Sequence, residues 1–283
     1  MTERLAAVEA RIGTVHKLAA VISAMRGIAA SRTQEARRHV DSIRIFTGTI
    51  GDAIGHALTL LPETDRVPTG NGPTGRQAII LLAAEQGFAG AFSERVFDAA
   101  ARLMRNPYNL LIVGDRGLLV AEERGLSVDW ACAMIAHPAQ AAALATRLTG
   151  AIYERLARAD VSRVAVIHAA PGGAEGVTVV TKQLVPFDYS RFPISRRGVA
   201  PRLTLPPGQL LARLVEEYVF AELSEAVMLS FAAENEARMR AMSAAHDNVS
   251  DSLTALISTS RRLRQEEITD EIVELATSGL PVR

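Results

Sequence analysis

From Leu205 to the end the chain almost lacks the residues that break helices. After Pro206, Pro207 and Gly208, neither proline nor glycine appears until Gly279. Breakers punctuate most globular chains every ten to twenty residues or so, so the stretch reads as one helix. At ~1.5 Å rise per residue such a helix is about 100 Å long, more than the diameter of any domain this chain could fold around it. Part of it must project, and a projecting helix needs a partner.

The other end of the chain supplies one. Residues 1–58 are again helical in pattern, with no proline before Pro62. Leu5, Val8, Ile12, Val15, Ala19, Ile22 and Ala29 recur at alternating spacings of three and four, with one step skipped at Arg26, as on a coiled-coil seam. Met25 lies beside this seam one position early, a local drift in phase. The last segment has its own seam in Met242, Ala245, Val249, Leu253, Leu256, Ser260 and Leu263. Both seams are rich in small residues, so the helices can approach closely. The first segment is weighted towards arginine and the last towards glutamate, which favours pairing. The expectation is an antiparallel coiled coil of the two ends, with the middle of the chain inserted between them.

That middle reads as α/β. Gln77–Ala84 is a buried-strand run, followed by a Gly87/Gly90 turn and a helical stretch to Arg105. Asn109–Val113 reads as a second strand, Ser127–Ile135 as a third, and Pro138–Ala159 as an alanine-rich helix. Arg163–Ala169 is a fourth strand, and Gly176–Val185 an exposed one after a turn at Pro171, Gly172 and Gly173. Alternating strands and helices predict a small parallel or mixed sheet, a Rossmann-like lobe. Proline- and glycine-rich connectors flank it at Thr59–Arg76 and Pro186–Pro207, the second carrying Arg191, Arg196, Arg197 and Arg202. The division expected is a coiled-coil helix over 1–58, an α/β lobe over 76–186 and a second coiled-coil helix over 208–279.

Composition closes off several classes. With 48% hydrophobic and 22% charged residues the chain is globular, and a net charge of zero gives no reason to expect nucleic acid. The longest apolar run, Ala78–Ala84, is far too short to span a bilayer, and the first residues lack a signal-peptide core. Cys132, the only cysteine, is expected to be buried and inert. No Walker A loop is present, and Gly87-Phe-Ala-Gly90 lacks the leading Gly-x-Gly of a dinucleotide fingerprint. Gly114-Asp-Arg-Gly117 is equally weak. The six histidines show no metal-ligand spacing, no nucleophile elbow appears, and the glutamates of the last helix read as a solvated face. Neither a catalytic constellation nor a cofactor or metal site is expected.

Three stretches carry a resemblance. Glu234-Asn-Glu-Ala-Arg238-Met-Arg-Ala-Met242, then Ala245-His-Asp247-Asn248, then Arg264-Gln265-Glu-Glu-Ile268-Thr269-Asp-Glu271-Ile272 resemble, in order, type and spacing, the close of the gamma subunit of F-type ATP synthases. Ile22-Ser-Ala-Met25-Arg-Gly-Ile-Ala-Ala30 is similar to that family's amino-terminal motif. Glu85-Gln-Gly87-Phe-Ala-Gly90 stands where the family has an Asp-Arg-Gly-Leu-Cys-Gly turn. The chain departs in the apolar Leu18-Ala-Ala-Val21, in Glu85-Gln86, in Glu266-Glu267, and in lacking the plant form's paired regulatory cysteines. These departures point to a divergent version, such as an alternative, second ATPase of a bacterium.

The resemblance implies a non-catalytic central-stalk rotor shaft, part of an ion-transporting ATP synthase. Ion-driven rotation of the membrane ring would be coupled through it to conformational cycling of the catalytic hexamer. Its partners would be the alpha and beta subunits, the epsilon subunit and the c-ring. Its place would be peripheral, on the cytoplasmic face of the inner (plasma) membrane. Carried over by motif, Arg264 and Gln265 would meet a catalytic subunit's catch loop, with Thr269 close by. Met25 and Arg238 would mark a neck facing another catalytic-subunit loop. Without the resemblance, the residues are equally compatible with an α/β enzyme or a helical scaffold whose arms dimerise.

Overall fold

The computed structural model describes residues 2–62, 75–172, 176–193 and 203–278. Most of the first connector, Gly173 of the expected turn, Arg196, Arg197 and Arg202 of the second connector, and the tail from Gly279 lie outside the described residues. The chain forms two compact units, Met1–Ala29 with Met239–Arg283, and Ala30–Arg238. They cut across the three segments drawn from the sequence, because both terminal helices run through both units. Those helices are α1 (Thr2–Leu58) and α5 (Pro207–Ser278). Pro207 is the first residue of α5, where its missing N–H costs no helical hydrogen bond and its fixed φ suits the helix.

In the first unit α1 and α5 form an antiparallel coiled coil. From Leu5 to Val15, the seam positions are the half-buried ones, and every residue between them is exposed. Further along, Ile22 and Ala29 are buried, as are Met242 and Ser260 on the facing helix. Ala29 and Ser260 are small, which lets the helices close on one another.

The second unit holds a five-stranded mixed sheet in the order β3-β2-β1-β4-β5. The strands are β1 (Arg76–Leu82), β2 (Tyr108–Val113), β3 (Trp130–Cys132), β4 (Val161–Pro171) and β5 (Val177–Val185). β1, β2, β3 and β4 run parallel, and β5 is antiparallel to β4. β1 is central and covered on both faces, which is why it reads as an unbroken apolar run. Its Ala78, Ile80 and Leu82 join a core with α4 (Ala141–Ala157), α5 and Ala36 and Val40 of α1. Ile79 and Leu81 join the opposite core with α2 (Phe92–Ala100) and α3 (Asp115–Glu123).

Two expectations fail locally. The third strand is three residues long, not the nine of Ser127–Ile135, because it pairs with only Leu111, Ile112 and Val113 at the edge of the sheet. Helix α3 was not expected at all. It starts directly after Gly114, which at φ 103° takes a turn that a side chain would obstruct: a Cβ there would lie 2.6 Å from the Ala83 carbonyl.

A third cluster joins Ile50, Ile54 and Leu58 of α1 to Leu211 and Tyr218 of α5 and to Phe192. Phe192 stacks on Phe187 at 5.4 Å and meets Tyr218 edge-on at 5.0 Å. Gly51 and Gly55 make room for this on α1. A Cβ at Gly55 would sit 2.4 Å from the Pro193 carbonyl oxygen. Gly55→Ala is therefore expected to lower unfolding free energy by about 1–3 kcal/mol despite its better helix propensity. Urea unfolding checks this; a stabilised variant would mean that the connector yields freely.

Candidate functional site

Arg264, Gln265 and Thr269 are all exposed on the α5 arm of the coiled coil. Arg264 Nη2 lies 2.5 Å from Glu9 Oε1 of α1, with 62% and 46% of the two side chains exposed. The Thr269 hydroxyl donates back to the Gln265 carbonyl at 2.8 Å. One turn on, Ile268, Ile272, Val273 and Leu275 are at least half exposed. Met25 is half-buried beside the seam of the same unit.

Arg238 is placed differently from the other four. It is 5% exposed and belongs to the second unit. Its Nη2 pairs with Glu234 Oε1 at 2.5 Å and donates to the Gln86 carbonyl at 3.2 Å. Its Nε donates to the Gly87 carbonyl at 3.2 Å, and Nη1 to Asn235 Oδ1 at the same distance. Glu234 in turn accepts the backbone N–H groups of Glu85 and Gln86, each at 3.3 Å. The glycine turn after β1 thus gives its donors and acceptors to one Glu–Arg pair of α5.

Glu85 extends the network. Its Oε2 accepts from Met134 N at 2.7 Å and from Asp115 N, at the start of α3, at 3.3 Å. A carboxylate there favours the helix N-terminus. In an open α/β sheet, ligands bind outside the carboxyl ends of the strands, where the connections change sides. Here α2 and α3 lie on one face and α4 on the other, so that point is beside β1. The chain's own Glu234 and Glu85 take the backbone donors that a phosphate would otherwise use.

The glutamates of α5 in this unit overturn the expectation of a solvated face. Glu222, Glu234 and Glu236 are each 3% exposed. From Tyr218 to Arg238 α5 is enclosed on nearly every side, so these acids need partners rather than water. Arg37 meets Glu236 at 3.0 Å, and Arg44 meets Glu225 at 2.7 Å. Lys182 faces Glu222, and Arg191 lies 3.7 Å from the same carboxylate. The sequence signal was present but ambiguous: acids on a helix look alike whether water or arginine receives them.

Two further groups answer to burial. Cys132 is half-buried and its thiol is pushed up to about 11, chiefly by desolvation, which keeps it protonated and unreactive. His168 on β4 is 4% exposed, and burial lowers its pKa from 6.5. Lys182 lowers it further, while the Ala169 carbonyl and Glu225 act the other way. With the folded pKa below the unfolded one, the unfolded chain binds the extra proton. This group's contribution is complete above pH 6.5 and is lost as pH falls below it. His168→Gln should flatten the acid limb of the stability curve by up to about 1.4 kcal/mol per pH unit. Urea titrations at several pH values read this directly; an unchanged limb would assign the acid sensitivity elsewhere.

Residues 4–279 match the ATP synthase family model. The chain belongs to this family. The ATP synthase gamma chain of Frankia casuarinae is 27% identical, over 94% of this chain and 93% of its own. That of Streptomyces griseus is 29% identical, over 97% and 95%. In fold the chain resembles the rotor of the Euglena gracilis mitochondrial ATP synthase, at TM-score 0.62 and 12% identity, over 95% of this chain and 100% of that one. A chain of the F1/c-ring assembly of the same enzyme aligns at TM-score 0.63 and 10% identity, over 100% and 98%. The family match extends from the first turns of α1 to the end of α5, and so takes in both arms of the coiled coil as well as the sheet. Among the described residues no helix is long and apolar enough to cross a membrane.

Proposed function

We propose that this chain is the central-stalk shaft of an F-type ATP synthase. It couples ion-driven rotation of a membrane c-ring to conformational cycling of a catalytic hexamer of alpha and beta subunits. The observation that carries the reading is the family match over 4–279 on a chain whose two ends pair as an antiparallel coiled coil. Such a pair resists bending and presents a different surface on each side. A ring of like subunits around it meets unequal contacts, and a shaft that favours one state over another shifts each subunit's population as it turns. The chain does no bond chemistry in this reading. It sits peripherally on the cytoplasmic face of the membrane, with an epsilon subunit beside the α/β lobe.

Arg264, Gln265 and Thr269 supply directional contacts to a catalytic subunit from the exposed flank of α5. Met25 supplies an apolar contact near the seam of the first unit, and Arg238 acts from within the second, by fixing the turn it grips. Co-expression with the neighbouring alpha and beta subunits tests the proposal. The expected result is a complex whose ATP hydrolysis drives ion pumping only when this chain is present. An isolated chain that binds and hydrolyses ATP, or that dimerises and ignores the catalytic subunits, would overturn it.

A further inference from the structure

The interior face of α5 carries a polar stripe at four-residue spacing: Ser230, Glu234 and Arg238. All three are buried. Residues i, i+4 and i+8 line one side of a helix. Each meets the backbone where β1 leaves the sheet. Ser230 Oγ donates to Leu82 O at 3.1 Å. Glu234 takes the N–H groups of Glu85 and Gln86, and Arg238 takes the carbonyls of Gln86 and Gly87. Five backbone polar groups between Leu82 and Gly87 are thus held by three side chains of one helix.

We infer that this stripe, with Glu85, is a torque joint that fixes the α/β lobe in register on α5, and that Glu234 and Arg238 are positioning residues for rotary coupling. The inference rests on the proposed shaft function. Beyond it, the lobe meets α5 through apolar packing of Val219, Leu223, Val227 and Phe231 and, from β5, through the Lys182–Glu222 ion pair. Apolar contact is non-directional: it resists separation more than it resists slip or rotation of one surface over another. Charge-assisted and bidentate hydrogen bonds fix orientation as well as distance. Glu85 spreads the grip, because its carboxylate also holds the start of α3 and the chain after β3. A turning force applied to the lobe is thus borne by several elements before it reaches α5.

The test uses the complete ATP synthase carrying the chain with Glu234→Gln, Arg238→Lys or the pair Glu234→Gln/Arg238→Met. Each complex is reconstituted in vesicles, and ATP hydrolysis and ATP-driven ion pumping are measured on the same sample. Pumping per ATP hydrolysed is expected to be lost in all three, while the assembled complexes continue to hydrolyse ATP. Arg238→Lys keeps the charge but not the fork, so it should fail to rescue. Amide exchange at Glu85 and Gln86 should accelerate about tenfold or more in Glu234→Gln as the charged acceptor is removed. A merely structural role predicts that hydrolysis and pumping fall together with the amount of assembled complex. Unchanged pumping per ATP in well-assembled variants would overturn the joint and leave the shaft function standing. Failure of the wild-type chain to assemble and couple would instead overturn the shaft function.

Discussion

Replacing Arg238 with methionine while Glu234 stays is expected to lower unfolding free energy by about 3–5 kcal/mol. The side chains of Arg238 and Glu234 are 6% and 4% exposed, so removing the guanidinium strands a carboxylate away from water. It also leaves the Gln86 and Gly87 carbonyls short of a donor. The double variant Glu234→Gln/Arg238→Met should recover at least about half of the loss, since no buried charge is then left alone. Gln keeps an acceptor for one of the two turn N–H groups and fills nearly the same volume. Urea unfolding of the wild type, both single variants and the double variant closes the thermodynamic cycle. A double variant no more stable than the sum of the singles predicts would mean that the two side chains act independently, contrary to their geometry.

The same pair shows where the sequence is legible and where it is not. The spacing from Glu234 to Arg238 announces an i, i+4 ion pair, and the pair is present. Nothing in those two letters says that the pair points inward and grips a turn some 150 positions earlier in the chain. Long-range placement depends on how α5 crosses the sheet edge, and local pattern carries no information on that. The seams of the coiled coil were legible because a period of alternating three and four has only one structural meaning over that length. β1 was legible because burial on both faces demands an unbroken apolar run. Helix α3 was missed because its nine residues hold four charges, Asp115 and Arg116 at its start and Glu122 and Glu123 at its end, and the apolar stretch between them is too short for a period to show. The acids of α5 were misread for a related reason. Glu222 and Glu236 obey the same helical pattern as the exposed Glu266 and Glu271, and only the partners Lys182 and Arg37 distinguish them.

Arg264→Ala is expected to leave stability unchanged and to lower coupled ATP turnover by about 30-fold in the assembled enzyme. Among the described residues Arg264 pairs with the exposed Glu9, and such a pair contributes about 0–1 kcal/mol. An arginine held so loosely is available to an outside acid, and its planar fork suits a carboxylate in a partner's loop. When a partner encloses it, the same group is desolvated and its truncation costs about 2 kcal/mol, as for arginines at the centre of protein interfaces. Glu9→Gln separates the two accounts. It removes the internal partner and leaves the guanidinium in place, so coupled turnover should hold within about twofold if Arg264 works outward. Thr269 should matter less than Arg264, since its hydroxyl is already engaged by the Gln265 carbonyl. If Glu9→Gln lowers turnover as far as Arg264→Ala does, the working unit is the bridge between the two helices, and the shaft's stiffness rather than its outer surface is what the catalytic subunits sense.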